Sequence, residues 1–259
     1  MPDDTAEHLV SYALDGPIAL IGLNRPAKRN ALSSGLLAQI DAAALRAADE
    51  ARAAVIFGHG DHFCAGLDLA ELFQTLSGKP RTRRRWRPPV FGPIARGQIP
   101  FVAALSGAVI GGGLELAAAC QVRVADSTTF FALPEGQRGI FVGGGGSVRI
   151  ARLISVARMQ DMMLTGRVVT AAEAVSWNLA SYVVDKGEAL ARAKVIAHRI
   201  AENSEAANFA IVNGLSRIDD LSQDDGMFME WLVSESLIGE DTVGRVGAFV
   251  AKTAKPIGG

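Results

Sequence analysis

Residues 107–115 read GAVIGGGLE, and this stretch decides most of what the sequence says about the fold. It ends an apolar run, so residues 101–110 are predicted to form a buried strand and residues 114–120 a helix that begins directly after three glycines. Free N–H groups at such a junction favour a ligand that develops negative charge. A dinucleotide site and a P-loop are excluded, because no GxGxxG motif follows the first strand and no GK[ST] follows the glycines.

Two glutamates accompany this stretch. Glu115 lies in an otherwise apolar helix, LELAAAC, and Glu135 follows Pro134 after the next apolar strand and before a second glycine-dense loop at 134–146. Two carboxylates that meet in an apolar cleft can divide acid and base roles on one water. From spacing alone, a plain loop residue remains the alternative for Glu135.

Two other segments also join a strand end to a loop. Residues 24–32, NRPAKRNAL, are either a solvated basic turn or a site for an anionic group, with Lys28 and Arg29 as donors.

Residues 62–69 read HFCAGLDL. His62 and Cys64 are two positions apart and so point to opposite faces of an extended segment, which argues against a catalytic pair. The small residues at 65 and 66 leave backbone N–H groups accessible to a ligand.

Composition limits the class of protein. Lys plus Arg is 26 and Asp plus Glu is 27, a net charge of −1 that disfavours a globally basic nucleic-acid binder. Two cysteines are too few for a disulfide scaffold and lack zinc spacing, so we expect no metal and a reduced, cytoplasmic setting. The first residues are acidic and lack an apolar core, and no run of 18 apolar residues occurs. We therefore expect neither a signal peptide nor a membrane span.

The remaining periodicity predicts an α/β core followed by helices. Further strands are predicted at 9–14, 18–23, 53–58, 122–125, 128–133 and 181–184. Further helices are predicted at 34–50, 147–153, 156–164, 170–177, 187–202, 204–216, 223–238 and 240–252.

Taken together, five motifs resemble the enoyl-CoA hydratase/isomerase (crotonase) superfamily. NRPAKRNAL, FCAGLDL, GAVIGGGLEL, ALPEG and AFVAKTAKP occur in that family's order between about residue 8 and residue 256. The resemblance implies a ClpP/crotonase-like spiral of ββα units over residues 1–195. It also implies a C-terminal helical trimerisation region over residues 196–259 and a homo-oligomer that is a trimer or a dimer of trimers.

The same resemblance implies an acyl-CoA thioester substrate, with coenzyme A as part of the substrate and no metal or covalent cofactor. The family's oxyanion hole falls on the backbone N–H groups of Leu67 and Gly112. Its hydratase branch uses two glutamates, present here as Glu115 and Glu135, and a glycine N–H that helps hold water aligns with Gly143. The implied reaction is syn addition of water to a 2-enoyl-CoA, giving a 3-hydroxyacyl-CoA.

The resemblance also assigns the coenzyme A side of the site. Lys28 and Arg29 are expected at the nucleotide phosphates, and Lys252 is expected to reach coenzyme A from a neighbouring subunit. The full set of expected substrate-binding residues is Lys28, Arg29, Ala31, Ala65, Asp68, Leu69, Gly111, Pro134 and Lys252.

Several alternatives stay open at this level. The same scaffold can support isomerase, lyase, decarboxylase or thioester hydrolase chemistry, and a non-catalytic scaffold is a further possibility. Residues 79–87, KPRTRRRWR, are a solvated helix, an extra contact for coenzyme A or an anionic substrate, or an RNA-binding surface through Arg81–Arg87. After Pro134 the chain reads EGQRGIFVGGGG and departs from the family's more apolar pattern, and the acyl group is not specified.

Overall fold

The computed structural model of the chain describes residues 8–77 and 90–253. The arginine-rich segment at 81–87 lies outside those residues, so its predicted roles stay untested. The strands are β1 (Val10–Asp15), β2 (Ile18–Leu23), β3 (Ala53–Gly58), β4 (Phe101–Leu105), β5 (Ala108–Ile110), β6 (Val122–Asp126), β7 (Phe130–Ala132), β8 (Val168–Thr170) and β9 (Tyr182–Val184). The helices are α1 (Ser34–Glu50), α2 (Leu69–Ser77), α3 (Gly92–Ala95), α4 (Gly112–Ala117), α5 (Gly146–Ile154), α6 (Val156–Thr165), α7 (Ala171–Ser176), α8 (Ala189–Ala201), α9 (Glu205–Ile218), α10 (Gln223–Ser236) and α11 (Glu240–Val250).

A six-stranded sheet in the order β1-β2-β3-β4-β6-β9 forms the centre of the molecule. Only β1 runs antiparallel to its neighbour, and the other pairs are parallel. Both faces are covered, which is why β3 and β4 read as unbroken apolar runs rather than alternating ones. On one face α8 packs through a row of alanines at four-residue spacing, whose small side chains allow a close approach: Ala189, Ala193, Ala197 and Ala201.

A second layer lies beside this sheet, and each turn of the chain contributes one short segment to it. It holds the three-stranded sheet β5-β7-β8. Two parallel bridges extend it, Leu32 with Leu67 and Cys64 with Val109. Successive units thus leave the large sheet, add a segment to the second layer and return through a helix. This is the expected spiral of ββα units.

The prediction of a single strand at 101–110 is wrong. The chain turns at Ser106-Gly107, and β4 and β5 belong to different sheets. Gly107 has a φ of 50°, and a Cβ there would lie 2.3 Å from the carbonyl oxygen of Asp61. Because both strands are buried, apolar residues flank Ser106-Gly107 on both sides, and periodicity does not separate the two strands. The following helix also begins at Gly112 rather than at 114 and ends at Ala117 rather than at 120.

Most other predicted elements occur with small shifts. Ser33 caps α1, and its side chain accepts from the N–H of Leu36 as expected for a helix start. The sequence reading missed α2, α3 and β8, and β7 is shorter than predicted. The division drawn at residue 195 falls inside α8, which packs on the sheet.

Candidate active site

Segments far apart in sequence meet around one cavity of about 60 Å³. The spiral explains the meeting, because Leu67, β5 and the end of β7 are neighbours in the second layer. Among the residues that the sequence singled out, those lining the cavity are Ala65, Leu67, Leu69, Gly111, Gly112, Glu115, Pro134, Glu135 and Gly143. Lys28, Arg29, Ala31, Asp68 and Lys252 do not line it.

Two backbone N–H groups border the cavity and have no partner in the part of the chain that the structure describes. The Leu32–Leu67 bridge uses the N–H groups of Leu32 and Asp68, and so leaves the N–H of Leu67 outside the ladder. The N–H of Gly112 opens α4, and neither group donates a hydrogen bond among residues 8–77 and 90–253. A Cβ on Gly112 would lie 3.8 Å from the nitrogen of Leu67, so both donors border the same small space. Because α4 has only six residues, these two N–H groups matter more than a helix dipole.

Glycine is required beside these donors for reasons of space. Gly111 has a φ of 53°, and a Cβ there would lie 2.7 Å from Oε1 of Glu135. At Gly113 a Cβ would lie 2.4 Å from the carbonyl oxygen of Cys64. The triple glycine therefore lets the chain pass between Glu135 and the Cys64 backbone.

Glu115 is fixed by the glycine loop, residues 143–146. It is 5% exposed. Its Oε1 accepts the N–H of Gly144 at 2.7 Å and the N–H of Gly146 at 2.8 Å. A Cβ on Gly146 would lie 2.8 Å from the carboxyl group, so the loop approaches this closely only as glycine. Oε2 of Glu115 accepts no hydrogen bond from the described residues and is the oxygen left for a substrate or water.

Glu135 lies in a contrasting environment. It is 6% exposed, and its Oε2 is buried without a hydrogen-bond partner in the described part of the chain. Burial raises the pKa of Glu135, and the negative charge of Glu115 raises it further, while a backbone hydrogen bond and Arg138 act in the opposite direction. One cavity thus holds a carboxyl group whose pKa is raised beside a carboxyl group that accepts two backbone hydrogen bonds, and carboxyl groups in such unlike surroundings can divide acid and base roles.

The loop before α1 is held by residues that the sequence reading missed. Asn30 is fully buried and has a φ of 55°. Its Nδ2 donates to the carbonyls of His59 and His62 at 3.0 and 2.8 Å, and its Oδ1 accepts the N–H of Arg25 at 2.8 Å. Asparagine is among the few residues that adopt left-handed backbone readily, which is the clue that could have marked it.

Arg25 and Asp68 tie this loop to the segment that carries Leu67. Their side chains form an ion pair at 3.1 Å, and Arg25 also donates to the carbonyl of Ala31. Burial alone would raise the pKa of Asp68, but hydrogen bonds from the Glu71 N–H and from Arg25 lower it below its usual range. Asp68 therefore has a structural partner within the chain.

The predicted cations of the nucleotide side lie outside the cavity. Lys28 and Arg29 are exposed, and the carbonyl of Arg29 accepts the N–H of Ala65 at 2.9 Å. The loop bearing these cations is thus hydrogen-bonded directly to the cavity wall. Lys252 is exposed just beyond α11.

Cys64 and His62 do not form a nucleophilic pair, as the sequence indicated. The Cys64 thiol is buried and donates to the carbonyl of Asn30 at 3.1 Å. Burial raises the pKa of Cys64 to about 12, which removes the thiolate needed for attack. Nδ1 of His62 accepts the N–H of Ala108, so this ring is engaged with the backbone.

The sequence pattern of the enoyl-CoA hydratase/isomerase family matches residues 14–238. The chain belongs to the enoyl-CoA hydratase/isomerase family. The enzymes of this family act on coenzyme A thioesters, in agreement with the resemblance of the motifs.

Individual relatives cover almost the whole chain. A probable enoyl-CoA hydratase of Rhizobium meliloti is 36% identical over 251 residues, which is 92% of this chain and 93% of the relative. The mevalonyl-coenzyme A hydratase sidH of Aspergillus fumigatus is 32% identical over 241 residues, covering 91% and 89%. A presumed enoyl-CoA hydratase of Rhodopseudomonas palustris has a solved structure with a TM-score of 0.85 and 44% identity, covering 94% of this chain and 95% of that one.

Two kinds of feature are absent among residues 8–77 and 90–253. No helix there combines the length and the apolar character needed to cross a bilayer. No group of three or more His, Cys, Asp or Glu side chains there is arranged to hold a metal ion.

Proposed function

We propose that the protein is an enoyl-CoA hydratase that adds water syn across the double bond of a 2-enoyl-CoA to give a 3-hydroxyacyl-CoA. One observation carries the proposal: Glu115 and Glu135 face the same cavity in unlike environments, beside the N–H groups of Leu67 and Gly112, which have no partner among the described residues. Isomerases of the family usually keep only the second glutamate, so the pair favours hydration.

The N–H groups of Leu67 and Gly112 would receive the thioester oxygen. As water attacks the β-carbon, the electrons of the double bond move towards the carbonyl and charge develops on that oxygen. Donors that are already aimed at this position stabilise the enolate without reorganising, and losing one typically reduces the rate by about 10²–10³.

The two carboxyl groups would move the protons. Oε2 of Glu115 takes a proton from the attacking water, which the N–H of Gly143 helps to hold, and the water oxygen bonds to the β-carbon. Glu135 then gives its proton to the α-carbon on the same face. Because one proton enters at Glu115 and one leaves at Glu135, a proton transfer between the two carboxyl groups restores the starting state.

Coenzyme A would extend from the cavity towards the loop before α1. Lys28 and Arg29 are exposed cations suited to its phosphates. The hydrogen bond between Ala65 and Arg29 links them to the wall that would bracket the pantetheine at Ala65 and Leu69. Three further residues belong to the proposed binding set because they shape the site: Ala31, Gly111 and Pro134. Asp68 belongs to it because it pairs with Arg25.

We also propose that the protein self-associates. The helices α9, α10 and α11 leave large apolar side chains exposed, among them Phe209, Leu215, Phe228, Trp231 and Phe249. Such a surface is typical of a protein interface. We propose that residues 196–259 assemble the chain into a trimer or a dimer of trimers, which would allow Lys252 to reach a neighbour's coenzyme A. Cytoplasmic location stays a prediction from cysteine usage.

The test is direct. Purified protein is incubated with crotonyl-CoA, and loss of the enoyl-thioester absorbance is followed along with formation of 3-hydroxybutyryl-CoA. A panel of longer and branched 2-enoyl-CoA thioesters then defines the acyl group. Turnover of a 3-enoyl-CoA with no hydration of any 2-enoyl-CoA would show that the reaction is isomerisation instead.

A further inference from the structure

A half-buried arginine, which does not line the cavity, lies against the glycine loop. Arg149 is in the first turn of α5, and its guanidinium donates to the carbonyl oxygen of Gly144. A Cβ on Gly145 would lie 2.6 Å from both Nη atoms, so the guanidinium rests directly on that glycine. Gly145 also has a φ of 96°, which favours glycine there.

The bonded carbonyl occupies a particular place in the loop. Glu115 accepts the N–H of Gly144 and the N–H of Gly146. The carbonyl of Gly144 belongs to the one peptide unit that lies between those two donors. Fixing this middle unit therefore fixes the orientation of both donors at once. Four successive glycines have no side chains of their own to hold such a conformation and lose much conformational freedom when they are ordered.

Electrostatics link Arg149 to Glu115 across the loop. Burial lowers the pKa of Arg149, and the negative charge of Glu115 acts against that lowering. The Nε atom of Arg149 is buried without a partner among the described residues. A half-buried cation whose Nε donor is buried without a partner in the described part of the chain contributes little to the stability of a fold, which points to a role in the site.

We propose that Arg149 is a positioning residue for hydration, which holds the glycine loop so that the Gly144 and Gly146 N–H groups set the Glu115 carboxylate and the Gly143 N–H faces the cavity. The proposal rests on the proposed function and deepens it. Arg149 touches neither substrate nor reacting atoms and acts only through the loop and Glu115.

The first experiment compares two arginines of the same helix. Arg149→Met removes the donor and the charge but keeps much of the volume. Arg152→Met is the matched control, because Arg152 lies on the exposed side of α5 and pairs with Asp220. We expect kcat of Arg149→Met with crotonyl-CoA to fall about 10–100-fold, the loss associated with a small misplacement of a reacting group, with KM changed less than about twofold. Arg152→Met should keep the kcat of the unaltered enzyme.

A double-mutant cycle separates positioning from loss of structure. If Arg149 acts through Glu115, then adding Arg149→Met to Glu115→Gln should lower kcat by less than about threefold, whereas a general loss of folded enzyme would add in full. Full additivity, or an Arg149→Met enzyme with unchanged kcat, overturns the proposal. If Arg149→Met does not fold, Arg149→Lys replaces it in the same cycle, with the same two outcomes.

The same measurements distinguish a failure of the proposed function from a failure of the proposed role of Arg149. If the unaltered enzyme hydrates none of the 2-enoyl-CoA thioesters, the proposed function fails. If it hydrates one of them and the cycle is additive, only the role of Arg149 fails.

Discussion

The variants Glu115→Leu and Glu115→Gln are expected to fail in different ways. Leucine has about the volume of glutamate but offers no acceptor, so the N–H groups of Gly144 and Gly146 would lose their partner inside the protein. Glutamine keeps a carbonyl oxygen in the position of Oε1 and can accept both N–H groups. It lacks the negative charge that a general base needs.

The size of each effect follows from these contacts. A buried donor left without an acceptor costs about 1–3 kcal/mol, so the two together cost Glu115→Leu about 2–6 kcal/mol of unfolding free energy. A native domain has about 5–15 kcal/mol in all, so this loss is large. Glu115→Gln should stay within about 1 kcal/mol of the unaltered protein, because weaker hydrogen bonds are offset by removal of a buried charge. Both variants should lose about 10²–10⁴ in kcat, the contribution of a general base.

Thermal unfolding and turnover are measured on the same preparations. For a chain of this size 1 kcal/mol shifts Tm by about 2–4 °C, so Glu115→Leu should unfold at least about 4 °C lower, while Glu115→Gln should shift little. Protein concentrations must match, because self-association raises Tm. Equal Tm values for the two variants would refute the structural half of the reasoning, and a Glu115→Gln enzyme with normal kcat would refute the chemical half.

Three further predictions concern other groups of the site. Since burial holds the pKa of Glu135 above its ordinary 4.5, the unaltered protein should lose stability as pH rises from about 4.5 through that raised pKa; urea unfolding of Glu135→Gln across this range should show a smaller decline, and identical pH slopes would contradict it. Gly111→Ala should cost about 1–3 kcal/mol, because its backbone, with a φ of 53° and a ψ of −119°, lies in a region that other residues rarely adopt, and it should also lower kcat, because its Cβ would displace the Glu135 carboxyl group. The matched variant Gly187→Ala, with a φ of 85° and an open Cβ position, should show only the stability loss in the same kinetic and unfolding assays. Burial raises the pKa values of Cys64 and Cys120 to about 12, so an aromatic disulfide reagent should titrate both thiols only after unfolding; rapid reaction of the folded protein would disprove the burial argument.

Most of the predicted elements rest on signals that lie within a single segment of the sequence. Ser33 before α1 and the buried runs of β2 and β3 are signals that a single segment contains, and the corresponding elements occur where they were predicted. The strand at 101–110 failed for the converse reason. Ser106-Gly107 is a turn dipeptide, but the apolar residues on both sides outweighed it, and the approach of Asp61 that requires glycine there comes from another segment.

The residues of the candidate site also include some that the sequence indicated and some that only the structure showed. The motifs singled out Glu115, Glu135 and the triple glycine, because each is unusual in its own surroundings. Asn30 and Arg149 escaped notice, since an asparagine or an arginine in a polar segment is ordinary until its partners are known. Their importance comes from the backbone carbonyls that they bind, and those belong to the folded chain.

By itself, the sequence determined the α/β class, the order of the motifs, the family and which carboxyl groups were candidates for catalysis. Only the tertiary structure decided that Leu67 and Gly112 leave their N–H groups free of partners among residues 8–77 and 90–253, over one cavity. It also decided that Glu115 accepts two loop N–H groups, while Glu135 has a buried oxygen without a partner among the same residues. The physical reason is that hydrogen bonding and burial depend on neighbours from distant segments. Two glutamates of identical chemistry acquire different hydrogen-bond partners and a different degree of access only when the spiral places them in different surroundings.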